Sequence, residues 1–456
     1  MSLRRDFSKD FIMSILTKAL KMLEKYALCN HCLGRQFALL GHGLGNDERG
    51  RAIKLALTLR AHDSALAGKK NGSRLLEILA ANGFFKPAEE TLQKIGIELA
   101  PEAYAKTCYL CEDRFKTCNS LARKAVSLLN DYEYTNFLVG IELPVAIAER
   151  EDEFKAEFQV SHGESIRNEF GRTIGKRISQ RVGKLAEFKR PDIVVLVDPF
   201  AEQLSIQANP LFISGRYKKV ARGIPQSKWY CSSCRGKGCA KCGWTGKMYS
   251  ESVQEIIEEP VLEATCGTGT LFHASGREDV DARMLGKGRP FVIQVSKPRK
   301  RFIELKKLRE TINLRGESKV EVSGLRFANK DTVRKLKKGE STQKEYRVLI
   351  EFENEISDGD VRLLGRKLTN TLIGQRTPLR VLHRRADLTR EKYIYKVKVK
   401  KLSPKKAEMK LLCQGGLYVK ELVTGDDGRT VPSVSEILKN KAQPMKLDVL
   451  DVIMED

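Results

Sequence analysis

No stretch of the chain approaches the ~18 consecutive apolar residues that a spanning helix requires, so an integral membrane protein is not expected. No signal-peptide pattern opens the sequence either. Residues 11–28, beginning Phe11-Ile-Met-Ser-Ile-Leu, place apolar side chains at helical spacing with Lys on the other face, and read as an ordinary amphipathic helix. No segment repeats at a fixed period. Acidic residues are scarce beside basic ones, 58 Asp plus Glu against 82 Lys plus Arg, and the resulting charge of +24 favours a polyanionic partner through counterion release and steering. That partner could be RNA, DNA or an anionic membrane, the membrane being the weakest candidate of the three. At 456 residues and 41% hydrophobic content the chain can bury real cores, and its length suggests roughly two to four domains.

A disulfide framework is also missing. The cysteines number eleven, and eight of them fall into four Cys-x-x-Cys pairs, which suits metal ligation in a reducing cytoplasm. The pairs Cys29-Asn-His-Cys32 and Cys108-Tyr-Leu-Cys111 bracket a long, helical-looking insert. Four thiolates close a tetrahedral zinc site with no open position, so its role is structural, clamping the ends of the insert. Two unrelated pairs of buried cysteines are the alternative. His31, inside the first pair, reads as a surface histidine because four cysteines already complete the site. The cluster Cys231-Ser-Ser-Cys234 with Cys239-Ala-Lys-Cys242 is more compact, and its glycines allow tight turns around a metal. Its Cys-x-x-Cys-x-Gly-x-Gly resembles half of the zinc region of J-domain co-chaperones. A second structural zinc and a flexible hinge are its two readings.

From about 130 to 225 the pattern alternates strand and helix, with Asn136-Phe-Leu-Val-Gly-Ile and the apolar run Ile193-Val-Val-Leu-Val197. Between them Arg172, Lys176, Arg177, Arg181, Lys184, Lys189 and Arg190 present a basic face suited to phosphates. Residues 211–225, Leu211-Phe-Ile-Ser-Gly-Arg-Tyr-Lys-Lys-Val-Ala-Arg-Gly-Ile-Pro225, resemble the closing part of a THUMP domain, an RNA-binding module of RNA-modifying enzymes. Beyond residue 245 strand patterns dominate: Phe291-Val-Ile-Gln-Val, Tyr346-Arg-Val-Leu-Ile-Glu-Phe, and Tyr393–Lys400, where Tyr393, Tyr395, Val397 and Val399 are expected to share one face. A helix is expected from near Asp358 through Ile373.

The loop Gly276-Arg-Glu-Asp279-Val-Asp281-Ala-Arg-Met-Leu-Gly-Lys-Gly-Arg-Pro290 can present a carboxylate to a ligand. From residue type alone, an Asp in such a loop is more often a turn former or ion-pair partner. The string nevertheless resembles the catalytic loop of pseudouridine synthases, where an Arg is followed shortly by a nucleophilic Asp. Asp279 occupies that place, and Asp281 is the neighbouring candidate. Two more segments resemble motifs of the same superfamily in the right order: Lys344-Glu-Tyr346-Arg, whose tyrosine stacks on the target base, and Gly416-Leu-Tyr418-Val-Lys420-Glu-Leu422. The resemblance implies substrate contact by Tyr346 and Tyr418 and a charge partner for Asp279 at Lys420. Arg376, Arg380, Arg384 and Arg385 are candidates to grip phosphates flanking an unstacked base.

Taken whole, the paired cysteines, the THUMP-like module and the catalytic half resemble the archaeal and eukaryotic tRNA pseudouridine synthases that act on T-loop uridines 54 and 55. The fold class this implies is α+β: a pseudouridine synthase catalytic domain, a mixed sheet with flanking helices, over residues 246–456; a zinc-binding and THUMP-containing α/β accessory domain over 1–225; and a Cys-rich connector over 226–245. It also implies tRNA as partner, structural zinc, no organic cofactor, a cytoplasmic location and no obligate protein partner. Two rivals stand beside it. A THUMP-type RNA methyltransferase would use Ala264-Thr-Cys-Gly-Thr-Gly-Thr270 as a cofactor-cradling turn, although such turns follow a strand and open a helix. A zinc-containing RNA-binding protein without activity would need only the charge and the cysteines.

Overall fold

In the computed structural model, which describes residues 8–337 and 342–453, the first apolar stripe folds as the helix Ser8–Lys25. Helices Asn30–Gly34, Asn46–Leu66, Lys70–Ala81, Lys86–Lys94 and Cys118–Leu129 follow, so the insert between the first cysteine pairs is helical as its composition suggests. The Glu48 carboxylate opens the longest of these by accepting the Gly45 N–H at 2.8 Å. Helices Asn30–Gly34 and Asn46–Leu66 cross at two glycines. A Cβ on Gly34 would lie 1.8 Å from the Asn46 carbonyl oxygen, and one on Gly50 2.0 Å from that of Asn30. Only the missing side chains let the backbones approach this closely.

Next to this bundle, β1 (Phe137–Ile141), β2 (Ile193–Asp198) and β3 (Gln203–Ala208) form a three-stranded sheet in that order. β1 and β2 run parallel, with Leu138 opposite Val194, and β3 returns antiparallel. The parallel pair requires a crossover, supplied in part by the helix Ile166–Val182, whose Ser165 caps the Asn168 N–H at 3.2 Å and which ends at Gly183 with φ +67°. Its Ile174 and Ile178 pack in one core with Phe137 and Val195.

The second compact unit begins at Asn209, and the boundary expected near residue 225 falls instead after Ala208. The segment 211–225, read from sequence as the close of the THUMP-like module, begins with β4 (Leu211–Lys219), a strand of the second sheet. Isolated strand patterns do not say which sheet they join, and the long antiparallel register with Ile293 and Val295 decides it. The remaining strands are β5 (Gly269–Ala274), β6 (Arg283–Ser296), β7 (Val320–Ala328), β8 (Gln343–Phe352), β9 (Thr371–Arg376), β10 (Thr389–Ser403), β11 (Lys406–Gln414), β12 (Thr430–Val431) and β13 (Ala442–Ile453). Their order is β12-β9-β10-β11-β8-β13-β6-β4-β7, with β5 also on β6. Two antiparallel halves meet at a short parallel pairing of β13 with β6, Asp448 opposite Arg283 and Val449 opposite Met284. Helices flank the sheet, as expected for a mixed α+β catalytic domain.

Three local expectations are corrected. The helix Asp358–Leu368 stops short of Ile373, because Asn370 turns to φ +55° and Thr371 starts β9 opposite Ile394. Strand β6 already begins at Arg283, inside the segment read as loop. In β10 a bulge between Ile394 and Lys396 breaks the alternation, so Ile394 and Val397 are both buried and the expected single face of Tyr393, Tyr395, Val397 and Val399 is not kept. Among the described residues no helix is long and apolar enough to cross a membrane.

The glycine crossing yields a prediction opposite in sign to helix propensity. Gly50→Ala, in a helix interior where alanine ordinarily gains about 1 kcal/mol, should instead cost about 1–3 kcal/mol, as read by urea unfolding. A more stable variant would mean that the two helices do not approach as described.

Candidate active site

Strands β5 and β6 are antiparallel neighbours, with Ala274 opposite Phe291, and the chain between them carries the acidic loop. Ser275 returns its N–H to the Pro290 carbonyl at 3.1 Å. Gly276 has φ +76°, and a Cβ there would meet the Lys344 Nζ at 2.7 Å. The loop is then tied down from below. Glu278 is buried, and its carboxylate takes the Arg289 Nε at 2.8 Å and the Tyr217 hydroxyl at 3.0 Å. Gln226 donates to the Tyr217 oxygen at 2.7 Å and to the Gly276 carbonyl at 3.0 Å. Arg289 also donates to the Ser275 carbonyl at 2.7 Å. The Lys219 ammonium reaches the carbonyls of Ile224, Asp279 and Val280 at 2.8, 3.0 and 3.2 Å. Burial pushes Lys219 down to about 8, opposed by the nearby Glu278 and Asp281. Burial and the adjacent Glu278 push the Tyr217 phenol well up, so it stays a donor.

With Glu278 turned in, the next side chain turns out. The Asp279 carboxylate is 38% exposed and faces two cations, Lys420 Nζ at 3.2 Å and an Arg380 Nη at 3.4 Å. Lys420 is shared. It sits closer to Asp281, at 2.8 Å from both oxygens, and so does not pair with Asp279 alone as expected. Lys420 lies in the first turn of the short helix Val419–Thr424, whose N-cap is Tyr418. Gln375 of β9 holds the Tyr418 backbone at both ends, accepting its N–H at 2.8 Å and donating to its carbonyl at 3.0 Å. The Tyr418 hydroxyl accepts from Arg385 at 2.9 Å. Tyr346 lies in β8 between Leu411 and Val449, half-buried. Burial raises its phenol pKa, with Cys413, Asp279 and Glu278 adding to the rise and Arg289 opposing it. The expected site residues Asp279, Tyr418 and Lys420 therefore come together, and Tyr346 lies within electrostatic range of Asp279.

The arginine run behaves differently from a free phosphate grip. Arg376 pairs with Asp387 at 2.7 Å, Arg385 is on Tyr418, and Arg380 is on Asp279 and Glu421; the Arg384 side chain lies outside the described residues. Sequence reading missed the Glu278–Arg289–Tyr217 support and the Arg380 contact, since each depends on which strands become neighbours.

Both cysteine clusters converge, with all ligand atoms of each set within 4.8 Å of one another. Backbone N–H groups point at the sulfurs, Cys29 to Cys108 Sγ at 3.3 Å in the first set, Gly238 to Cys234 Sγ and Gly246 to Cys242 Sγ at 3.2 Å in the second. Such donors stabilise thiolates, and four sulfurs at this spacing fit a tetrahedral zinc. His31 is not a surface histidine: its Nδ1 is 2.7 Å from Glu169 and its ring stacks on Phe115 at 4.4 Å. The run Ala264–Thr270 begins in the last turn of the helix Val253–Thr265 and leads into β5, the reverse of the strand-then-helix order of a cofactor cradle.

Comparison with known proteins places these features in one family. The model described as "Pus10, C-terminal" matches residues 212–453, and that described as "Pus10 THUMP domain, archaeal" matches residues 121–198, ending before β4. Over 438 residues the chain is 45% identical to the tRNA pseudouridine synthase Pus10 of Methanocaldococcus jannaschii, covering 95% of this chain and 93% of that one. The proteins of the same name from Methanothrix thermoacetophila and Methanococcus voltae are 39% and 44% identical, covering 94% and 97% of their own lengths.

Lys344, beside the loop, supplies a pH test. Burial pushes its ammonium down from 10.5 to about 8, with Arg289 acting in the same direction and Cys413 and Glu278 against it. Between those values the unfolded chain holds more of this proton, so stability rises with pH through the window, and the penalty is fully present below it. Lys344→Met removes the penalty. Its unfolding free energy relative to wild type should therefore be about 2–3 kcal/mol more favourable at pH 7.5 than at pH 10, measured by urea unfolding. A difference independent of pH would mean that the ammonium is not desolvated.

Proposed function

The chain belongs to the Pus10 family of pseudouridine synthases, isomerases by reaction class, and we propose that it converts uridine to pseudouridine at positions 55 and 54 of the tRNA T-loop with Asp279 as nucleophile. The observation that carries the assignment of Asp279 is the contrast within one loop. Glu278 is consumed by a buried ion pair, whereas Asp279 stands at the surface with Lys420 and Arg380 both beside its Oδ2. A carboxylate held beside two cations is oriented by them. The reaction breaks the N1–C1′ bond, rotates the base and joins C5 to C1′. The proton lost from C5 is matched by the one gained at N1, so no oxidant, energy source or organic cofactor enters the balance. Tyr346 and Tyr418 supply aromatic surface to an unstacked base, and Lys420 steadies the carboxylate.

In this reading the basic helix Ile166–Val182 and the THUMP match around it contribute to tRNA binding through phosphate contacts. Part of that helix's charge is already used internally, since Arg172 pairs with Glu164 and Glu169. The two cysteine sets hold structural zinc. The first closes the ends of the helical insert, and the second closes the short loop Cys231–Cys242.

Incubating the protein with unmodified tRNA transcript and mapping pseudouridine by carbodiimide-block primer extension tests the assignment. Asp279→Asn should reduce T-loop conversion by at least ~10⁴-fold with tRNA binding retained, whereas Asp281→Asn should stay within about tenfold of wild type because it only removes a competitor for Lys420. Conversion surviving Asp279→Asn would refute the nucleophile, and tight binding without any pseudouridine would refute the activity. For the metals, mass spectrometry of the purified chain should give two zinc ions, falling to one in either Cys108→Ser or Cys239→Ser. A chain with all thiols free and no bound metal would remove both sites.

A further inference from the structure

Arg380 sits in a run of arginines suited to phosphates, and its side chain is 40% exposed, yet its guanidinium is engaged by two carboxylates. It lies in the 3-10 segment Leu379–Arg384, just after Pro378. Its Nε donates to Glu421 Oε1 at 2.6 Å, one Nη reaches Glu421 Oε2 at 3.5 Å, and the same nitrogen is 3.4 Å from Asp279 Oδ2. Its carbon centre stands 5.8 Å over the Tyr418 ring. Glu421 is itself only 5% exposed, so the anchor of this arginine is fixed in the core and not a surface acid that happens to be near.

Glu421 follows Lys420 in the same helical turn. One residue of that turn touches Asp279 directly, and the next holds a second cation against it. The second cation has work left to do because Lys420 lies nearer to Asp281 than to Asp279. A planar guanidinium can keep one edge on Glu421 while presenting another to Asp279, which a point-charge ammonium cannot do with the same geometry.

We propose that Arg380 is a positioning residue for the reaction, orienting the Asp279 carboxylate together with Lys420 through the same oxygen, Oδ2, and held in place by Glu421, and that it does not serve as a phosphate contact. The proposal rests on the reading of Asp279 as the reacting carboxylate. It separates cleanly from a binding role. A phosphate contact would act on tRNA affinity and its salt dependence, whereas a carboxylate-orienting group acts on the rate of the bound complex.

The test is single-turnover conversion of tRNA transcript by saturating enzyme, together with tRNA affinity across a salt series, for Arg380→Ala, Arg380→Lys and Asp279→Asn. Because Arg380→Ala strands the buried Glu421, the double variant Arg380→Gln/Glu421→Gln, which removes both charges, accompanies it. Arg380→Ala and the double variant should lose about 10²-fold or more in rate, with affinity within about twofold and the salt slope unchanged. Arg380→Lys should fall between them and wild type, and millimolar guanidinium should restore part of the Arg380→Ala rate but none of the Asp279→Asn rate. A wild-type rate in Arg380→Ala while Asp279→Asn is dead would overturn this proposal alone. So would a loss confined to affinity with a salt slope shallower by about one, or a slowed variant that guanidinium does not rescue. Full activity in Asp279→Asn would sink the carboxylate reading, and this proposal with it.

Discussion

The buried pair between Glu278 and Arg289 is the constraint on which the candidate active site depends. Both side chains are essentially inaccessible, and removing two charges from water is costly unless each is fully engaged. Here they are. Arg289 also serves the Ser275 carbonyl, Glu278 also accepts from Tyr217, and Tyr217 in turn accepts from Gln226. The consequence follows from the chain itself. Glu278 and Asp279 are consecutive, so an anchored inward Glu278 obliges Asp279 to face outward. A loop free to rotate would place either acid at the surface, and the cations from the helix Val419–Thr424 and the segment Leu379–Arg384 would have no fixed partner.

This support explains where the domain boundary has to lie. Tyr217 and Lys219 both come from β4, and together they hold Glu278 and the carbonyls of Asp279 and Val280. A catalytic unit cut at residue 246 would lack the strand that holds its own loop. The centre of the sheet is secured in the same manner. At the parallel meeting of β13 and β6, Asp448 is held by Arg283, Arg347 and Arg222. Burial alone would raise its carboxyl, and the three guanidiniums override that and bring it to about 2. The one place where the two antiparallel halves join is therefore also a charge cluster next to the loop: Arg222 donates to the Asp281 carbonyl at 2.6 Å as well.

What could be read from the sequence was whatever is local. The Cys-x-x-Cys spacing, the acidic loop, Tyr418-Val-Lys420 and the apolar runs of β1 and β2 each carry their signal within a few residues; the fold gathers the cysteines, pairs β1 with β2 and sets Lys420 beside the acidic loop, on Asp281 as well as Asp279. What could not be read depends on pairing. The turn at Asn370 ends a helix that apolar spacing alone would continue to Ile373. One extra residue at Ile394 reverses the faces of β10, and no count of alternation foresees a bulge. Arg380 looks identical in sequence to Arg376 and Arg385. Only the placement of Glu421, 41 residues later, distinguishes it.

The charge of +24 points to a polyanion, but several of the cations that matter most never meet solvent. Lys54 and Lys219 are both wholly buried, and each spends its ammonium on three acceptors: Leu28 O, Asn30 Oδ1 and Gly83 O for Lys54, and Ile224 O, Asp279 O and Val280 O for Lys219. An ammonium has three donors, so nothing is left unsatisfied. Burial still lowers both to about 8, which leaves them charged at neutral pH. Each closes irregular backbone that neither helix nor sheet hydrogen bonds can hold, one beside the first cysteine set and the other under the acidic loop. A hydrophobic residue at either position would leave three acceptors unpaired in the interior, a larger loss than desolvating one amine. Two sites with unrelated chemistry are thus held by the same device, and formal charge counts residues that serve folding alongside those left free at the surface.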